Sequence, residues 1–200
     1  MWREPMFNDL STPLSYLASR RSGRPREMVG PGPDEAELGA ILALAARTPD
    51  HGKLAPWRFV VVGGDQRGEF AALLARALDQ NDPSAGEAHR NKANDFAHHG
   101  EALVVLLSAP VSPHKIPVWE QELSVGAAAM NLLHAIHAHG FVGSWITGWA
   151  AFDPTVHDAF CTGENQRIAG FFFIGSPGRE LEERPRPDMA AVASRWTPPL

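Results

Sequence analysis

Gly170-Phe171-Phe172-Phe173-Ile174, Ala102-Leu103-Val104-Val105-Leu106-Leu107 and Phe59-Val60-Val61-Val62 are apolar stretches rich in aromatic, β-branched and leucine residues, and their reading decides the fold. All fall far short of the ~20 residues that cross a bilayer, so they read as buried strands. The segments between them carry helical periodicity. After Gly30-Pro31-Gly32-Pro33, the acids Asp34, Glu35 and Glu37 open a segment in which Leu38, Ile41, Leu42, Ala45 and Ala46 recur at i, i+3, i+4, i+7 and i+8. This amphipathic helix stops near Arg47-Thr48, because Pro49 lacks an N–H and disfavours helical geometry in the residue before it. The strand Trp57 to Val62 ends at Gly63-Gly64-Asp65, and Phe70, Leu73, Leu74, Ala77 and Leu78 mark the next helix.

Glu87 to Ala97 reads as a short polar helix. Val118 to His139 has no proline and one glycine, which predicts a long Ala-rich helix closed by Gly140, with Leu123, Ala127 and Met130 on one face. Its small residues Gly126, Ala127, Ala128 and Ala129 admit a close neighbouring backbone. Gly143 to Thr147 reads as a short strand, Asp153-Pro154 caps a short helix, and Ile168 to Ile174 is the last strand. Strands separated by helices give a mixed α/β or α+β domain. One domain is expected over residues 1–200, with an N-terminal extension at 1–13 and a Pro/Arg-rich arm at 177–200 that cannot form a core of its own.

Composition narrows the function. At 200 residues and 44% hydrophobic, the chain is long enough to bury a sizeable core without disulfides or metals. A net charge of −5 gives no general attraction to nucleic acid or anionic lipid. The single cysteine, Cys161, excludes an intramolecular disulfide and is expected to be reduced. Met1 to Pro13 contains no apolar run resembling a secretory leader or anchor, so a cytoplasmic protein is expected.

Three groups lie at boundaries between elements, where side chains and backbone N–H groups can face a ligand. Arg20-Arg21-Ser22 sets two guanidiniums beside a hydroxyl, a donor set able to grip a phosphate, although an isolated Arg-Arg-Ser is most often a solvated turn. Arg47-Thr48-Pro49-Asp50-His51 places a cation at a helix C-terminus and a second donor four residues on; its plain reading is dipole compensation. Ser144-Trp145-Ile146-Thr147-Gly148-Trp149 has a Thr-Gly able to expose backbone donors, with Gly143 and Gly148 as an open pocket edge, although buried core tryptophans explain it equally well.

Other chemistries lack their signatures. His134, His137 and His139, with His98 and His99 elsewhere, have no Asp, Glu or Cys at ligand spacing for zinc. Gly63-Gly64 with Gly68 at the wrong offset is not a dinucleotide fingerprint. No G-x-S-x-G elbow is present, and Cys161 beside Thr162-Gly163 looks like a helix end and not an activated thiolate.

Taken together, the three groups resemble the flavin-dependent nitroreductases, in particular their short single-domain type. The resemblance runs through most of the chain. Besides Arg20-Arg21-Ser22 and Arg47-Thr48-Pro49-Asp50-His51, it is carried by Pro56-Trp57 with Phe59, Pro117-Val118-Trp119-Glu120-Gln121-Glu122, Gly140-Phe141 with Trp145, and Gly170 through Pro177. It implies an α+β nitroreductase-like fold with a central, mostly antiparallel sheet flanked by helices, in an intertwined homodimer built on the long helix.

It also implies FMN at the subunit interface, with NAD(P)H as electron donor and a nitroaromatic, quinone or similar flat acceptor. Carried over by position, Arg20, Arg21 and Ser22 hold the phosphate and ribityl chain. Arg47 and His51 reach the flavin across the interface, and Ile146, Thr147 and Gly148 complete the pocket. No side chain is implied as a nucleophile, since hydride passes by way of flavin N5. Trp145, Trp149 and Phe152 are expected near the flavin face. The family's short type carries an arginine where this chain has Ile146, and Arg179 or Arg184 after the last strand are the residues able to replace that cation. The alternative is a non-catalytic FMN-binding protein that stores or senses the cofactor. The sequence leaves open the acceptor, the choice between NADH and NADPH, and the role of the N-terminal extension.

Overall fold

The structure, a computed structural model, describes residues 6–199. Its elements are α1 (Pro13–Ser19), β1 (Met28–Val29), α2 (Glu35–Ala45), β2 (Trp57–Val62), α3 (Arg67–Asn81), α4 (Glu87–Ala97), β3 (Ala102–Ser108), α5 (Val118–Ala138), β4 (Val142–Ile146), α6 (Pro154–Phe160), β5 (Arg167–Pro177) and α7 (Met189–Val192). The fold is α+β. β5 lies between β3 and β4, pairing Phe171, Phe172, Phe173 and Ile174 with both, and β2 adds to the far side of β3. The tail of β5, Ser176 and Pro177, pairs with β1, and every pairing is antiparallel.

Helices cover both faces of this sheet, which explains why its central strands are apolar without alternation: successive side chains point to opposite faces, and here both are dry. Leu103, Val105, Leu107, Phe171 and Phe173 pack on one side with Phe70, Leu74, Ala97 and Val156 of α3, α4 and α6. Val104, Leu106, Phe172 and Ile174 pack on the other with Ile41 and Ala45 of α2 and Ala128, Leu132 and Ile136 of α5. The small residues Ala128 and Ala129 are fully buried in the cluster shared with α2, so the close approach anticipated for them includes α2 of the same chain.

Local chemistry sets the helix ends. Asp34 caps α2, its Oδ1 accepting from the Glu37 N–H at 2.8 Å, while the Glu37 carboxylate accepts from the Asp34 N–H at 3.0 Å. The Trp-Glu-Gln-Glu stretch opening α5 works as fastening. Buried Gln121 donates to the carbonyls of Val111 (3.0 Å) and Ile116 (3.1 Å) and accepts from the Val111 N–H (2.8 Å), holding the loop before the helix. Glu122 pairs with Arg167 at the start of β5.

Both tails run toward one corner of the sheet. Residues 1–5 of the N-terminal extension lie outside the described residues. Asn8 exchanges hydrogen bonds with the backbone of Arg21, at 2.8 and 3.0 Å. Beyond β5, the Gly178 N–H donates to the Glu27 carbonyl at 2.9 Å, and the Arg21 guanidinium donates to the Glu182 carbonyl at 2.6 Å. No helix among the described residues is long and apolar enough to cross a membrane.

Candidate functional site

α1 is capped by Thr12, whose hydroxyl accepts from the Ser15 N–H, and starts on Pro13. It stops at Ser19, and Arg20 turns into extended backbone. Gly23 then passes flush against β4: a Cβ there would come within 2.9 Å of the Val142 side chain. Arg20, Arg21 and Ser22 are therefore delivered, half-buried, to the start of β4.

Arg20 is the chemically conspicuous member. Its Nη1 donates to the Ser22 hydroxyl at 3.3 Å, and among the described residues it has no carboxylate partner. Burial holds its pKa below the usual guanidinium value; the Tyr16 phenol opposes that shift, while the like charges of Arg186 and Arg21 add to it. Arg186, from the C-terminal arm, reaches the Arg20 carbonyl at 3.5 Å. Arg186 is itself paired with Glu183 at 2.9 Å, so Arg20 and Arg21, beside the Ser22 hydroxyl, are the guanidiniums with no ion pair among the described residues. Such a donor set fits a dianionic phosphate ester, which would neutralise it through charge-assisted hydrogen bonds.

Behind Arg20 lies a polar network that sequence reading did not find. The Tyr16 hydroxyl sits 2.8 Å from His134 Nδ1 and 3.1 Å from His137 Nδ1, and the Gly143 N–H donates to His137 Nε2 at 3.3 Å. That last bond assigns the proton order. His137 accepts at Nε2, so its Nδ1–H donates to the Tyr16 oxygen, and the Tyr16 O–H donates to His134. Burial, reinforced by the charges of Arg20 and His134, pushes His137 down to about 3 and keeps it neutral. Burial raises Tyr16 to about 12, against the pull of Arg20. His134 and His137 thus serve as hydrogen-bond partners of Tyr16, and among the described residues no cluster of three or more His, Cys, Asp or Glu forms. Gly143 is not a pocket edge. It is buried under Leu133 and Ile136 with its N–H on His137.

Among the described residues β4 pairs only with β5, so its other side is a sheet edge. The Arg20 group stands at one end of this strand and Ile146, Thr147 and Gly148 at the other, on the order of 13 Å away at ~3.3 Å per residue. Ile146 is half-buried and packs on the core. Gly148 has φ 67, a left-handed conformation in which a Cβ would be strained. Among the described residues no intrachain hydrogen bond engages the N–H of Thr147 or Gly148, so two backbone donors remain free.

The aromatic residues separate. Trp145 stacks on Phe172, centroids 5.5 Å apart, and donates to the Ala169 carbonyl at 3.0 Å, so it serves the sheet. Trp149 and Phe152 instead line a cavity of about 680 Å³. Within one chain Arg179 lies away from Ile146, pairing with Glu27 (3.3 Å) and Glu182 (3.5 Å) beyond Pro177. Ile146 lies opposite Phe171, on the order of 20 Å back along β5. Arg184 likewise belongs to the segment beyond β5, where its N–H donates to Glu183.

Arg47 follows the end of α2. Asn131 of α5 fastens this turn by donating to the Arg47 carbonyl (3.3 Å) and the Thr48 hydroxyl (2.8 Å). Exposed Arg47 shares a cavity of about 350 Å³ with Tyr16, Asn131 and His134. His51 lies apart, its Nδ1 2.6 Å from the Glu120 carboxylate at the start of α5. One chain thus joins Arg20, Arg21 and Ser22, sets Ile146 to Gly148 along the same edge, and leaves Arg47 and His51 on the α2/α5 side. Buried Cys161 ends α6, its thiol pKa raised by burial.

Comparisons with known proteins agree with this architecture. The Nitroreductase family model matches residues 17–176. The Escherichia coli K12 protein named "Putative NAD(P)H nitroreductase YdjA" is 34% identical over 166 residues, covering 82% of this chain and 87% of that protein. Among solved structures, a nitroreductase-like family protein from Bacillus cereus superposes with a TM-score of 0.73 at 19% identity, covering 90% of this chain and 92% of the other. The FMN and NADPH-dependent nitroreductase NfnB from sphigopyxis sp. strain HMH superposes at 0.70 and 18% identity, covering 90% and 97%.

Proposed function

This chain belongs to the Nitroreductase family, and on that premise we propose that it is an NAD(P)H-dependent flavin oxidoreductase with FMN as its cofactor. The names of its relatives support the reaction class. The observation that carries the cofactor's place is half-buried Arg20, joined by Arg21, Arg186 and Ser22 and lacking a carboxylate partner among the described residues.

Arg20, Arg21 and Ser22 bind the phosphate and ribityl chain, with Arg186 as a further cation. The network of Tyr16, His134 and His137 stays neutral behind them and adds no competing charge. Thr147 and Gly148 offer backbone donors at the ring end of the site, and half-buried Ile146 closes its apolar side. The chemistry that FMN supplies when bound is two-electron transfer, with hydride received from NAD(P)H at N5 and passed to a nitroaromatic, quinone or similar flat acceptor.

Two copies of the chain pair to complete the site. α5 exposes Val118, Trp119 and Leu123, an apolar stripe at helical spacing that association would cover. Arg47 and His51 then reach the cofactor held by the other copy.

The test is spectroscopic. Purified protein is expected to be yellow, to lose its flavin absorbance anaerobically with NADH or NADPH, and to regain it on addition of a quinone. A flavin spectrum unchanged by both donors overturns the oxidoreductase in favour of a storage or sensing protein. A colourless chain that takes up no added FMN overturns the cofactor assignment.

A further inference from the structure

α1 is held to its own chain by a polar contact. None of its residues is fully buried, and its large apolar side chains Leu14 and Leu17 are 78% and 62% exposed, so hydrophobic packing within the chain does not fix it. Its tie to the core is Tyr16, whose hydroxyl lies 2.8 Å from His134 Nδ1 and 3.1 Å from His137 Nδ1 of α5, with the ring edge-on to both imidazoles. Among the described residues no other side chain of α1 hydrogen-bonds to another helix or strand.

This contact continues into β4. His137 accepts from the Gly143 N–H at 3.3 Å, and the residue before Gly143 is Val142, against which Gly23 lies flush. Arg20, Arg21 and Ser22 therefore run between two fastenings on adjacent residues of β4, the Tyr16–His137 contact before them and the Gly23 contact after them. Tyr16 and Arg20 are four residues apart, close to one helical turn, and the charge of Arg20 is felt at Tyr16, His134 and His137 alike. Asn8 binds the Arg21 backbone, but its own N–H donates to the Ser19 carbonyl at 3.1 Å, so it moves with α1 and does not replace the anchor. The groups in the anchor are a phenol and two imidazoles. A carboxylate in their place would take the Arg20 guanidinium as an ion pair, whereas these neutral groups fix the segment and leave its charge available.

We propose that Tyr16 is a positioning residue for the cofactor phosphate: bound to His134 and His137, it holds Arg20, Arg21 and Ser22 in place against β4, an inference that rests on the reading of this segment as the FMN phosphate site.

The experiment is a double-mutant cycle of Tyr16→Phe and Arg20→Ala, read by fluorescence titration with FMN. Tyr16→Phe is expected to weaken FMN about tenfold in the parent chain and less than about twofold in the Arg20→Ala chain, because a misplaced arginine and an absent one lose the same contact. Hydrogen exchange of the flavin-free protein is the second readout. Amides of residues 13–23 exchange faster in Tyr16→Phe, and their rise exceeds that of α3 on the opposite face of the sheet. His134→Ala, at a half-buried position, removes the acceptor of the Tyr16 O–H, is expected to move both readings in the same direction, and stands in if Tyr16→Phe does not fold. Equal weakening of FMN in both backgrounds, or exchange that rises equally in α3, marks a general loss of stability and overturns the positioning role. So does FMN affinity unaltered by Tyr16→Phe where Arg20→Ala weakens it. If Arg20→Ala leaves FMN binding as it was, or no FMN binds, the phosphate reading fails and takes the positioning role with it, while exchange still decides whether Tyr16 anchors the segment.

Discussion

Two groups of arginines stand at the same corner of the molecule and meet opposite fates. Arg24 and Arg179 lie in a lattice with Glu27 and Glu182, at distances of 2.7 to 3.5 Å. Arg20, a few residues from Arg24 in sequence, is half-buried, crowded by Arg21 and Arg186 and without a carboxylate among the described residues. The first group is neutralised within the chain and is worth little, since exposed ion pairs contribute about 0 to 1 kcal/mol. In the second, Glu183 answers Arg186 at 2.9 Å, while Arg20 and Arg21 form no ion pair among the described residues. Guanidinium density alone does not mark a ligand site; the placing of the carboxylates does.

The comparison breaks most visibly with pH. In the folded chain His137, beside Arg20, stays neutral down to about 3, against 6.5 for an ordinary histidine. Between these values the unfolded chain binds the extra proton, so stability is lost as pH falls through this window. The whole window is worth on the order of 5 kcal/mol. The melting temperature of the parent protein therefore drops more between pH 7 and pH 4.5 than that of His137→Gln. Equal drops in both would show that the histidine is not held neutral.

Arg20→Ala comes next. Losing one charge-assisted contact of about 1.5 to 3 kcal/mol weakens FMN roughly tenfold to a hundredfold while the flavin-free melting temperature stays within a few degrees. Fluorescence titration of FMN reads the first quantity and thermal unfolding the second; unaltered FMN affinity would place the phosphate elsewhere.

Arg47→Ala sharpens the comparison by moving the loss between copies. The expected weakening is at most comparable to that of Arg20→Ala, and in mixed dimers it falls on the flavin of the unmutated copy. A mixed dimer in which the Arg47→Ala copy loses only its own flavin rejects the shared site. The smallest effect is Arg179→Ala, expected to change stability by less than about 1 kcal/mol and to leave FMN binding as it was. A large loss of FMN there would erase the distinction between the two groups.

Much of the fold was legible in the sequence. α2, β2, α3, β3, α5 and β5 all fall where periodicity, proline and apolar stretches indicate them. The arginine segment at the end of α1 was also visible, because Arg20, Arg21 and Ser22 are contiguous. The partners of these residues were not visible. Arg186 approaches Arg20 from a proline-rich arm with no periodicity, Tyr16 meets His137 from more than a hundred residues away, and Trp145 and Trp149, four residues apart, go to a stack and to a cavity.

The amino-acid order by itself determined the helices, the strands and the locally clustered donors, because each depends on chemistry acting over a few neighbouring residues. Only the tertiary structure decided which charges are cancelled, which histidines are kept neutral and which rings face open space. Those outcomes depend on distances between segments remote along the chain, where burial and electrostatic pairing are set by packing.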